Sequence, residues 1–583
     1  MFRYNPCVTN ALTETTRPGE SIGKFGLPIA IGFLAAALAV FLLGGIRIDP
    51  SSTLWLNHGD IAQHYLGWHF FRGEPWALPL GSNPRYGLDM GSSIVFTDSI
   101  PLLATFFKTI RAFLPAHFQY AGGWMVFCFV AQGLCALLLL RRFATNPLTL
   151  FAGSVLFVLS PAMAARTGGH FALVAQWMIL LALWLYFSPD SLTRRRWYWR
   201  ALLVLAAVIH GYLLYFVFAI WLANVLRDRP TRNRQIAFAA FEAILTLALL
   251  VCVMWLAGWF EVPLDAAMSG GHYGKYAANL MALVNPPRGS LFLPTQHEAA
   301  TATGIESTHY LGVGVLALCV FATVYIVRGN PLRSILARHM YLALACLAFS
   351  ALAFSHNAYW GETLVTSFPL PEILRTNLEF VRGSGRLLWF AHYLLILMAI
   401  VFTVRLLPPK LSPFVLAIAL LLQVVDLAPY YRAYAIGLKQ AAEAATHAES
   451  ETMTSPFWTV AASKYTEVDF FPIVHAPQGY ERIALWAGDN HIAINAAYFA
   501  RISEPRALAN NPRIEQELTV GGRRAKTLYV LQRKSDLSRL ALLPQDGVGE
   551  VDGYTLVAPD WFKRENNALE RSGLQPFGSK SAN

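Results

Sequence analysis

The sequence predicts a polytopic α-helical membrane protein with about 10 to 12 membrane helices, followed by a soluble C-terminal α/β domain. Three observations support this fold class. Of the 583 residues, 55% are hydrophobic and only 14% are charged, whereas a soluble protein carries roughly 25% charged residues. Long apolar runs fill the chain up to residue 428, with basic segments between several of them. The rest of the chain, 429–583, is more polar and contains short strand-like runs.

The first apolar run, 25–45, is about 20 residues long and can cross a hydrocarbon core about 30 Å thick. No small-x-small cleavage site follows it, so we expect a retained first span after a cytoplasmic N-terminal tail, 1–24. The other runs expected in the membrane domain, 25–428, are 122–140, 148–165, 171–187, 201–226, 236–260, 310–327, 340–354, 387–404 and 413–427.

Basic residues orient these spans, because Lys and Arg are enriched in cytoplasmic loops. The run 201–226 has basic clusters at both ends and a polar break at His210-Gly211. We therefore expect a re-entrant hairpin of two short helices with both ends in the cytoplasm. With this hairpin the other spans alternate, and the C-terminal domain faces outward. The loops that then lie on the outer side are 46–121, 164–170, 261–309 and 355–386.

Composition and motifs exclude several functions. The net charge of +11 is explained by basic cytoplasmic loops rather than by nucleic-acid binding. The six cysteines lie mostly in apolar runs and indicate no disulfide framework. The sequence contains no phosphate-binding loop of the Walker type, no dinucleotide fingerprint and no HExxH motif, which argues against an ATPase or a zinc protease.

Two segments outside the spans have their own expected structure. The stretch 94–114 is apolar but contains Asp98 and Pro101, so we expect helices lying along the outer membrane interface, with a span as the alternative. The C-terminal domain should open with a helix at 432–449. Strands are expected at 467–474 and 527–531 and after a turn within 551–557.

The first outer loop carries the most informative polar residues. In a helix, Asp60, Gln63, His64 and Gly67 recur at i, i+3, i+4 and i+7 and share one face. A carboxylate beside amide and imidazole groups could deprotonate a hydroxyl or hold a divalent cation. The alternative is an interfacial helix whose polar face is simply hydrated.

Here the sequence resembles the GT-C class of integral membrane glycosyltransferases. It is most similar to bacterial inner-membrane transferases with the pattern Asp-x-x-Gln-x-x-x-Gly-Trp-x-x-Phe-Arg. The residues that carry the likeness are Asp60, Gln63, Gly67, Trp68, Phe71 and Arg72, then Tyr276–Leu280, Asn285-Pro286, Glu306–Gly312 and Arg382–Trp389. The resemblance covers about residues 25–430. Ser307 stands where a glycine is commoner, which puts any role of that glycine in doubt but not that of Glu306.

This resemblance implies a GT-C-like fold and transfer of a sugar from a polyprenyl-phosphate donor, usually with inversion. The acceptor would be an envelope glycan, lipid or protein on the periplasmic face of the bacterial inner membrane. Asp60 would act as the base. Arg382 and Arg386, expected on one helical face, would stabilise the leaving phosphate. The alternative for these arginines is snorkelling at the membrane surface.

Further candidate substrate-binding residues lie in the outer loops. Besides Gln63 and His64 they are Asp98, Arg166, His170, His272, Lys275, Glu306 and His309. Asp98 interrupts an apolar stretch, where an ionisable residue is more often functional than not. For the others, ordinary loop or interface composition is the alternative. A divalent cation, Mg²⁺ or Mn²⁺, is a candidate cofactor, with Asp60 as one conceivable ligand.

Two other function classes remain open from the sequence. One is a flippase or transporter of a lipid-linked substrate, although no path of charged residues through the membrane is apparent beyond the isolated His210 and Glu242, and no inverted repeat is apparent. The other is a non-catalytic scaffold for envelope assembly, whose C-terminal domain recruits other proteins. The sequence names neither the sugar nor the acceptor.

Overall fold

The computed structural model describes residues 23–88, 90–189, 192–228, 233–262, 273–287, 289–302, 304–329, 332–450, 453–500, 504–563 and 573–577. The first ten helices are α1 (Gly23–Ile48), α2 (Gly59–Gly73), α3 (Pro101–Thr109), α4 (Ala121–Leu140), α5 (Pro147–Val158), α6 (Pro161–Ala164), α7 (Trp177–Tyr186), α8 (Leu192–Ala207), α9 (Gly211–Arg227) and α10 (Asn233–Ala257). The remaining helices are α11 (Val313–Gly329), α12 (Leu332–Phe354), α13 (Glu372–Leu378), α14 (Trp389–Leu406), α15 (Ser412–Ser450), α16 (Phe457–Lys464), α17 (Tyr480–Asp489) and α18 (Glu504–Gln516).

The helical part has the composition of a multi-pass membrane protein, as the sequence predicts. Six helices in the described ranges are long and apolar enough to cross a membrane, namely α1, α4, α10, α12, α14 extended back to Ser384, and α15. A seventh candidate is α5 followed by Pro161–Gly168, which bends by 41°. Three shorter apolar helices, α7, α9 and α11, complete the set. These elements coincide with the ten apolar runs.

Helices α8 and α9 form the expected hairpin. Arg195 near the start of α8 donates hydrogen bonds to Asn224 (3.3 Å) and Asp228 (3.0 Å) at the end of α9. The start of α8 therefore meets the end of α9, and the two helices of the hairpin are antiparallel. Its tip, around Val208 to His210, contacts the first outer loop, since the Leu102 amide donates to the Val208 carbonyl (2.8 Å). At about 1.5 Å per residue each arm is roughly 25 Å long, so the hairpin extends far across the helical bundle.

The segment 94–113 folds as short helices, which confirms that part of the expectation. It contains 3₁₀ turns at Ile94–Thr97 and Arg111–Phe113 on either side of α3. Nine residues of α-helix rise only about 14 Å, so the alternative of a membrane span is excluded.

Helix α15 is 39 residues long and continues through Pro429 to Ser450. The expected boundary at 428–429 thus falls inside this helix, and the expected helix 432–449 is its second half. The helix continues although the composition changes at residue 429. Pro429 removes only one backbone hydrogen bond, and the Ala-rich sequence beyond it favours helix.

The C-terminal domain is built on a mixed six-stranded sheet, which agrees with the expected α/β class. Its strand order is β4-β3-β5-β7-β6-β8. The strands are β3 (Glu467–Phe471), β4 (Ala493–Ile494), β5 (Thr527–Leu531), β6 (Gly547–Val551), β7 (Tyr554–Ala558) and β8 (Leu574–Pro576), after the hairpin of β1 (Asn357–Trp360) and β2 (Thr363–Ser367) in the membrane domain. Strand β3 pairs in parallel with β4 and β5, and the other pairs are antiparallel. The turn at Asp552-Gly553, where both φ angles are positive, joins β6 to β7.

The predicted outer loops meet at one end of the helical bundle. Side chains from 46–121, 164–170, 261–309 and 355–386 are in direct contact there, through Asp98, His170, Glu306 and Arg386. The C-terminal domain packs against the same end: its core includes Ala62, Leu66, Phe70 and Tyr86 of the first loop. The loops and the domain therefore share one face of the molecule.

Candidate active site

Helix α2 is held against the loop that follows it because Gly67 has no side chain. A Cβ atom on Gly67 would lie 2.3 Å from the Cβ of Thr97, far inside van der Waals contact. The Ser99 hydroxyl then donates to the His64 carbonyl (2.7 Å). This close packing brings Asp98 next to His64, one turn along α2 from Asp60.

Asp98 is buried among three histidines that come from three separate segments. The Nε2 of His64 and the Nδ1 of His170 lie 3.7 and 3.6 Å from its Oδ2, and the Nε2 of His210 lies 3.4 Å from its Oδ1. Burial acts to raise the pKa of Asp98, but the positive charge available on His64, His210 and His170 brings that pKa well below its ordinary value. Asp98 is therefore ionised at neutral pH.

A second cluster centres on Glu306, which lies in a 3₁₀ turn just before α11. Its carboxylate accepts from Arg166 (3.0 Å) and from Nε and Nη2 of Arg386 (2.7 to 3.1 Å). Burial favours the neutral acid, yet the two guanidinium groups hold the pKa of Glu306 well below its usual range. Gly385 allows this approach, since a Cβ there would lie 2.3 Å from the Glu306 carbonyl oxygen.

His170 joins the two clusters. Its Nδ1 faces Asp98, and its Nε2 lies 3.4 Å from Nη2 of Arg386. Tyr212, in the first turn of α9, adds a further contact: its ring lies 4.8 Å from the guanidinium carbon of Arg386, and its hydroxyl accepts from the Gly383 amide (2.9 Å). The result is one continuous charged network at the end of the bundle where these loops meet.

Asp60 lies at the edge of this network and is exposed. Its neighbours come from the C-terminal domain and from the loop before α14. The Asp60 charge acts on both Tyr498 and His475, and Arg382 lies close enough to interact electrostatically with the same two side chains. Burial, followed by the Asp60 charge, raises the pKa of Tyr498 to about 12, so its hydroxyl remains a donor at neutral pH.

The C-terminal domain is fixed to the helix that carries Asp60. At the start of α2, the Gly59 amide donates to Glu481 (3.2 Å), and near its end His69 Nε2 contacts Asp489 Oδ1 (2.8 Å). Glu481 and Asp489 lie in the first and last turns of α17, so the two helices run side by side in the same direction. The domain thereby determines what surrounds Asp60.

The other predicted site residues are placed as follows. Gln63 is buried, and its amide donates to the Asp60 carbonyl (3.0 Å). His309 is fully buried, with Nε2 2.9 Å from the Glu306 carbonyl oxygen. Lys275 lies over the ring of Tyr276 (5.3 Å). His272 lies outside the described residues. The structure thus unites His64, Asp98, Arg166, His170, Glu306 and Arg386, with Asp60 and Arg382 at their edge.

One geometric expectation is wrong. Arg382 and Arg386 do not share a helical face, because two 3₁₀ turns separated by Gly383 precede α14, which begins only at Trp389. Arg386 therefore turns toward Glu306, while Arg382 lies nearer Tyr498 and His475.

Sequence reasoning missed two members of the site. His210 stands out in the sequence as a polar break and as an ionisable group inside an apolar run, and the second property is itself a functional signal. Tyr498 carries no local signal, since only the docking of the C-terminal domain brings it to Asp60.

Within the described part of the chain, the group that could ligate a metal ion is His64, Asp98 and His170, whose ligand atoms lie within 4.8 Å of one another. Asp60 does not belong to this group.

Fold and site together define a polytopic membrane protein with a buried charged site at one end of its helical bundle. Its sequence matches the family described as "Domain of unknown function (DUF6311)" over residues 32–428, and the "DUF6311 C-terminal domain" over residues 457–559. The chain therefore belongs to the DUF6311 family. No curated protein matches it.

Two solved structures of an oligosaccharyltransferase from Archaeoglobus fulgidus are similar to this chain. The apo form is 12% identical, with a TM-score of 0.41, and the match covers 82% of this chain and 65% of that one. The second, AglB in complex with an inhibitory peptide and a dolichol-phosphate, is 13% identical, with a TM-score of 0.40 and coverages of 88% and 70%. The chain thus spans slightly less than two thirds of the first of these structures.

Proposed function

We propose that this protein is a GT-C-type membrane glycosyltransferase that moves a sugar from a polyprenyl-phosphate donor to an envelope glycan, lipid or protein. We place its active face and C-terminal domain in the periplasm of a bacterial inner membrane. The observation that carries the proposal is an apolar groove whose lining includes Val381 and Leu387, the chain neighbours of Arg382 and Arg386.

The groove lies between α9 and α12 and has a volume of about 530 Å³. Tyr215, Leu222 and Leu226 line it along α9, and Leu344 and Leu352 line it along α12. An apolar groove of this kind suits an isoprenoid chain, because burying each additional methylene-sized group contributes about 0.8 kcal/mol.

One end of the groove is formed by Val381 and Leu387, the neighbours of Arg382 and Arg386. A lipid chain in the groove would thus place its phosphate beside these two guanidinium groups. Guanidinium binds phosphate through paired, charge-assisted hydrogen bonds. Two arginines of the described cluster, Arg166 and Arg386, both pair with the carboxylate of Glu306.

The transfer step follows from these positions. The exposed carboxylate of Asp60 takes the proton of an acceptor hydroxyl, and the oxygen forms a bond to the anomeric carbon of the donor sugar. The bond from that carbon to the phosphate oxygen breaks on the opposite face, so the configuration inverts. The lipid phosphate leaves with the electron pair, and Arg382 and Arg386 stabilise its charge.

The test compares envelope glycans, glycolipids and glycoproteins by mass spectrometry in cells with and without the gene. We expect one sugar to be absent from the deletion strain and restored by the wild-type gene. Ala345→Trp, which fills the groove, should fail to restore it. Ala348→Trp, an exposed position on the same helix outside the groove lining, should restore it.

An unchanged glycan profile, with the gene expressed in the parent strain, would contradict the proposal. Accumulation of a labelled lipid-linked substrate in vesicles, with no new bond formed, would instead favour a flippase. A profile that depends on the C-terminal domain but not on Asp60 would favour the scaffold.

A further inference from the structure

The environment of Asp98 is unusual for a buried carboxylate. Only 8% of the residue is exposed, and its Oδ1 accepts no hydrogen bond from any residue that the structure describes. Leaving a buried charged oxygen without a donor is costly. Three imidazole nitrogens surround the carboxylate at 3.4 to 3.7 Å, which is longer than ordinary hydrogen bonds of about 2.7 to 3.2 Å.

These distances match the spacing of neighbouring ligands around a metal ion. With bonds of about 2.0 to 2.2 Å to nitrogen and oxygen, adjacent ligands in a tetrahedral site are roughly 3.3 to 3.6 Å apart. The carboxylate oxygen is thus close to this spacing from the nitrogens of His64 and His170, and the three ligand atoms all lie within 4.8 Å of one another.

We propose that His64, Asp98 and His170 bind a divalent transition-metal ion, with His210 as a fourth group beside Oδ1. Imidazole suits Zn²⁺ and related ions of the first transition row, whereas Mg²⁺ and Ca²⁺ prefer all-oxygen sites. The mixed nitrogen and oxygen donors thus favour a transition metal over Mg²⁺, and the set replaces Asp60 as the expected ligand.

The hydrogen bonds of His64 support this assignment. Its Nδ1 lies 2.8 Å from the Asp98 carbonyl oxygen, and its Nε2 lies 2.7 Å from the Gly169 carbonyl oxygen. The contact at Nδ1 would hold the ring in place, as an outer hydrogen bond commonly does for an imidazole in a metal site. Nε2 faces Oδ2 of Asp98 as well, so a cation bound there would lie beside both oxygens.

His170 coordinates through Nδ1 in this arrangement, which leaves an N–H at Nε2 facing Arg386. Arg386 then has to turn away from His170. It can do so because it already donates hydrogen bonds of 2.7 to 3.1 Å to the carboxylate of Glu306. The bound ion would link the first outer loop, the segment 165–170 and the tip of the α8–α9 hairpin. Metal binding itself does not depend on the proposed function. A role for the ion in neutralising a donor phosphate does rest on the proposed function.

The test uses the full-length protein in detergent, stripped with a chelator and titrated with Mn²⁺, with binding measured by electron paramagnetic resonance. Zn²⁺ bound after dialysis is counted by elemental analysis. We expect one ion per chain, and nitrogen couplings to Mn²⁺ from imidazole. His64→Gln and Asp98→Asn should each weaken binding at least tenfold, as loss of even an outer-sphere partner costs about 10- to 100-fold.

His297→Gln, which replaces an exposed histidine of another outer loop, is the matched control and should bind as the wild type does. Gel filtration and circular dichroism verify that each variant is folded; if His64→Gln does not fold, His170→Gln and His210→Gln provide the same measurement. Wild-type protein without a stoichiometric ion, or binding unaffected by every ligand substitution, would overturn the metal site. Metal binding without sugar transfer in cells would leave it standing and reject only the proposed function.

Discussion

Glu306 accepts hydrogen bonds from both Nε and Nη2 of Arg386 at 2.7 to 3.1 Å, and both side chains are largely buried. The same carboxylate also pairs with Arg166, which is 0% exposed. Both buried arginines therefore contact the same acidic group, so this carboxylate is required both for stability and for keeping the arginines in place.

Glu306→Gln should destabilise the protein strongly. Removing one partner of a buried ion pair leaves an uncompensated charge and costs about 3 to 5 kcal/mol. The midpoint of thermal unfolding in detergent should fall, and the additional substitution Arg386→Gln should recover part of the loss. Glu372→Gln breaks the exposed pair with Arg375 on the same face of the molecule and should leave the midpoint unchanged. Equal midpoints for Glu306→Gln and the wild type would show that the cluster does not support the fold.

Gly67→Ala should displace the loop that carries Asp98. The added Cβ would lie 2.3 Å from Thr97 and 2.8 Å from the Ser99 hydroxyl, and overpacking of this kind costs about 1 to 3 kcal/mol. Gly123→Ala in α4 meets no atom within 4 Å and should be neutral or slightly stabilising, because alanine favours helix. The measurement compares the midpoints of thermal unfolding of the two variants with that of the wild type. A Gly67→Ala variant as stable as Gly123→Ala would contradict the close packing of α2 against residues 97–99.

The sequence predicted the membrane helices well because the length of an apolar run is a local property fixed by bilayer thickness. It also predicted the α8–α9 hairpin from two basic ends and a polar centre. It failed where the structure depends on distant segments. The contacts of His210 with Asp98 and of Tyr498 with Asp60 join parts of the chain more than a hundred residues apart, and no local pattern specifies them. The expectation that Arg382 and Arg386 share a helical face was wrong because α14 begins only at Trp389, after two 3₁₀ turns.

The contact between His69 and Asp489 should contribute to docking of the C-terminal domain. Asp489→Ala removes a 2.8 Å contact, but the apolar contacts of Leu66 and Phe70 with the domain core remain. We expect the domain to stay bound, with amide hydrogen exchange in α2 and α17 about fivefold faster, as for a loss near 1 kcal/mol. Glu550→Ala, which breaks an exposed pair with Lys534, should not change exchange in α2. Unaltered exchange in the Asp489 variant would mean that apolar packing alone holds the domain.

Stability should fall in mildly acidic solution, in part because of His475. Burial lowers the pKa of His475 below its ordinary value of 6.5, so on acidification the unfolded chain takes up the proton before the folded protein does. The stability that the neutral imidazole contributes is therefore complete above about pH 6.5 and is lost as the pH falls below it. Between pH 7.5 and 5.5 the midpoint of thermal unfolding should decline more steeply for the wild type than for His475→Gln. Parallel curves would rule out this contribution.

Asp60→Asn should abolish transfer while the protein still folds and inserts, because an amide cannot accept the proton of the acceptor hydroxyl. Tyr498→Phe removes a hydroxyl that interacts electrostatically with the Asp60 carboxylate and should lower the rate about tenfold, within the range of general-base catalysis. Because Tyr498 acts on Asp60 and not on the donor, its substitution should reduce kcat with little change in KM for the lipid donor.

The exposed Asp49, which is bonded to Ser51, provides the control: Asp49→Asn should retain full activity. Transfer is measured as restoration of the missing sugar in the deletion strain, and with purified protein once that sugar is known. Full activity in Asp60→Asn would exclude this carboxylate as the base, and an effect of Tyr498→Phe on KM alone would place that tyrosine in substrate binding instead.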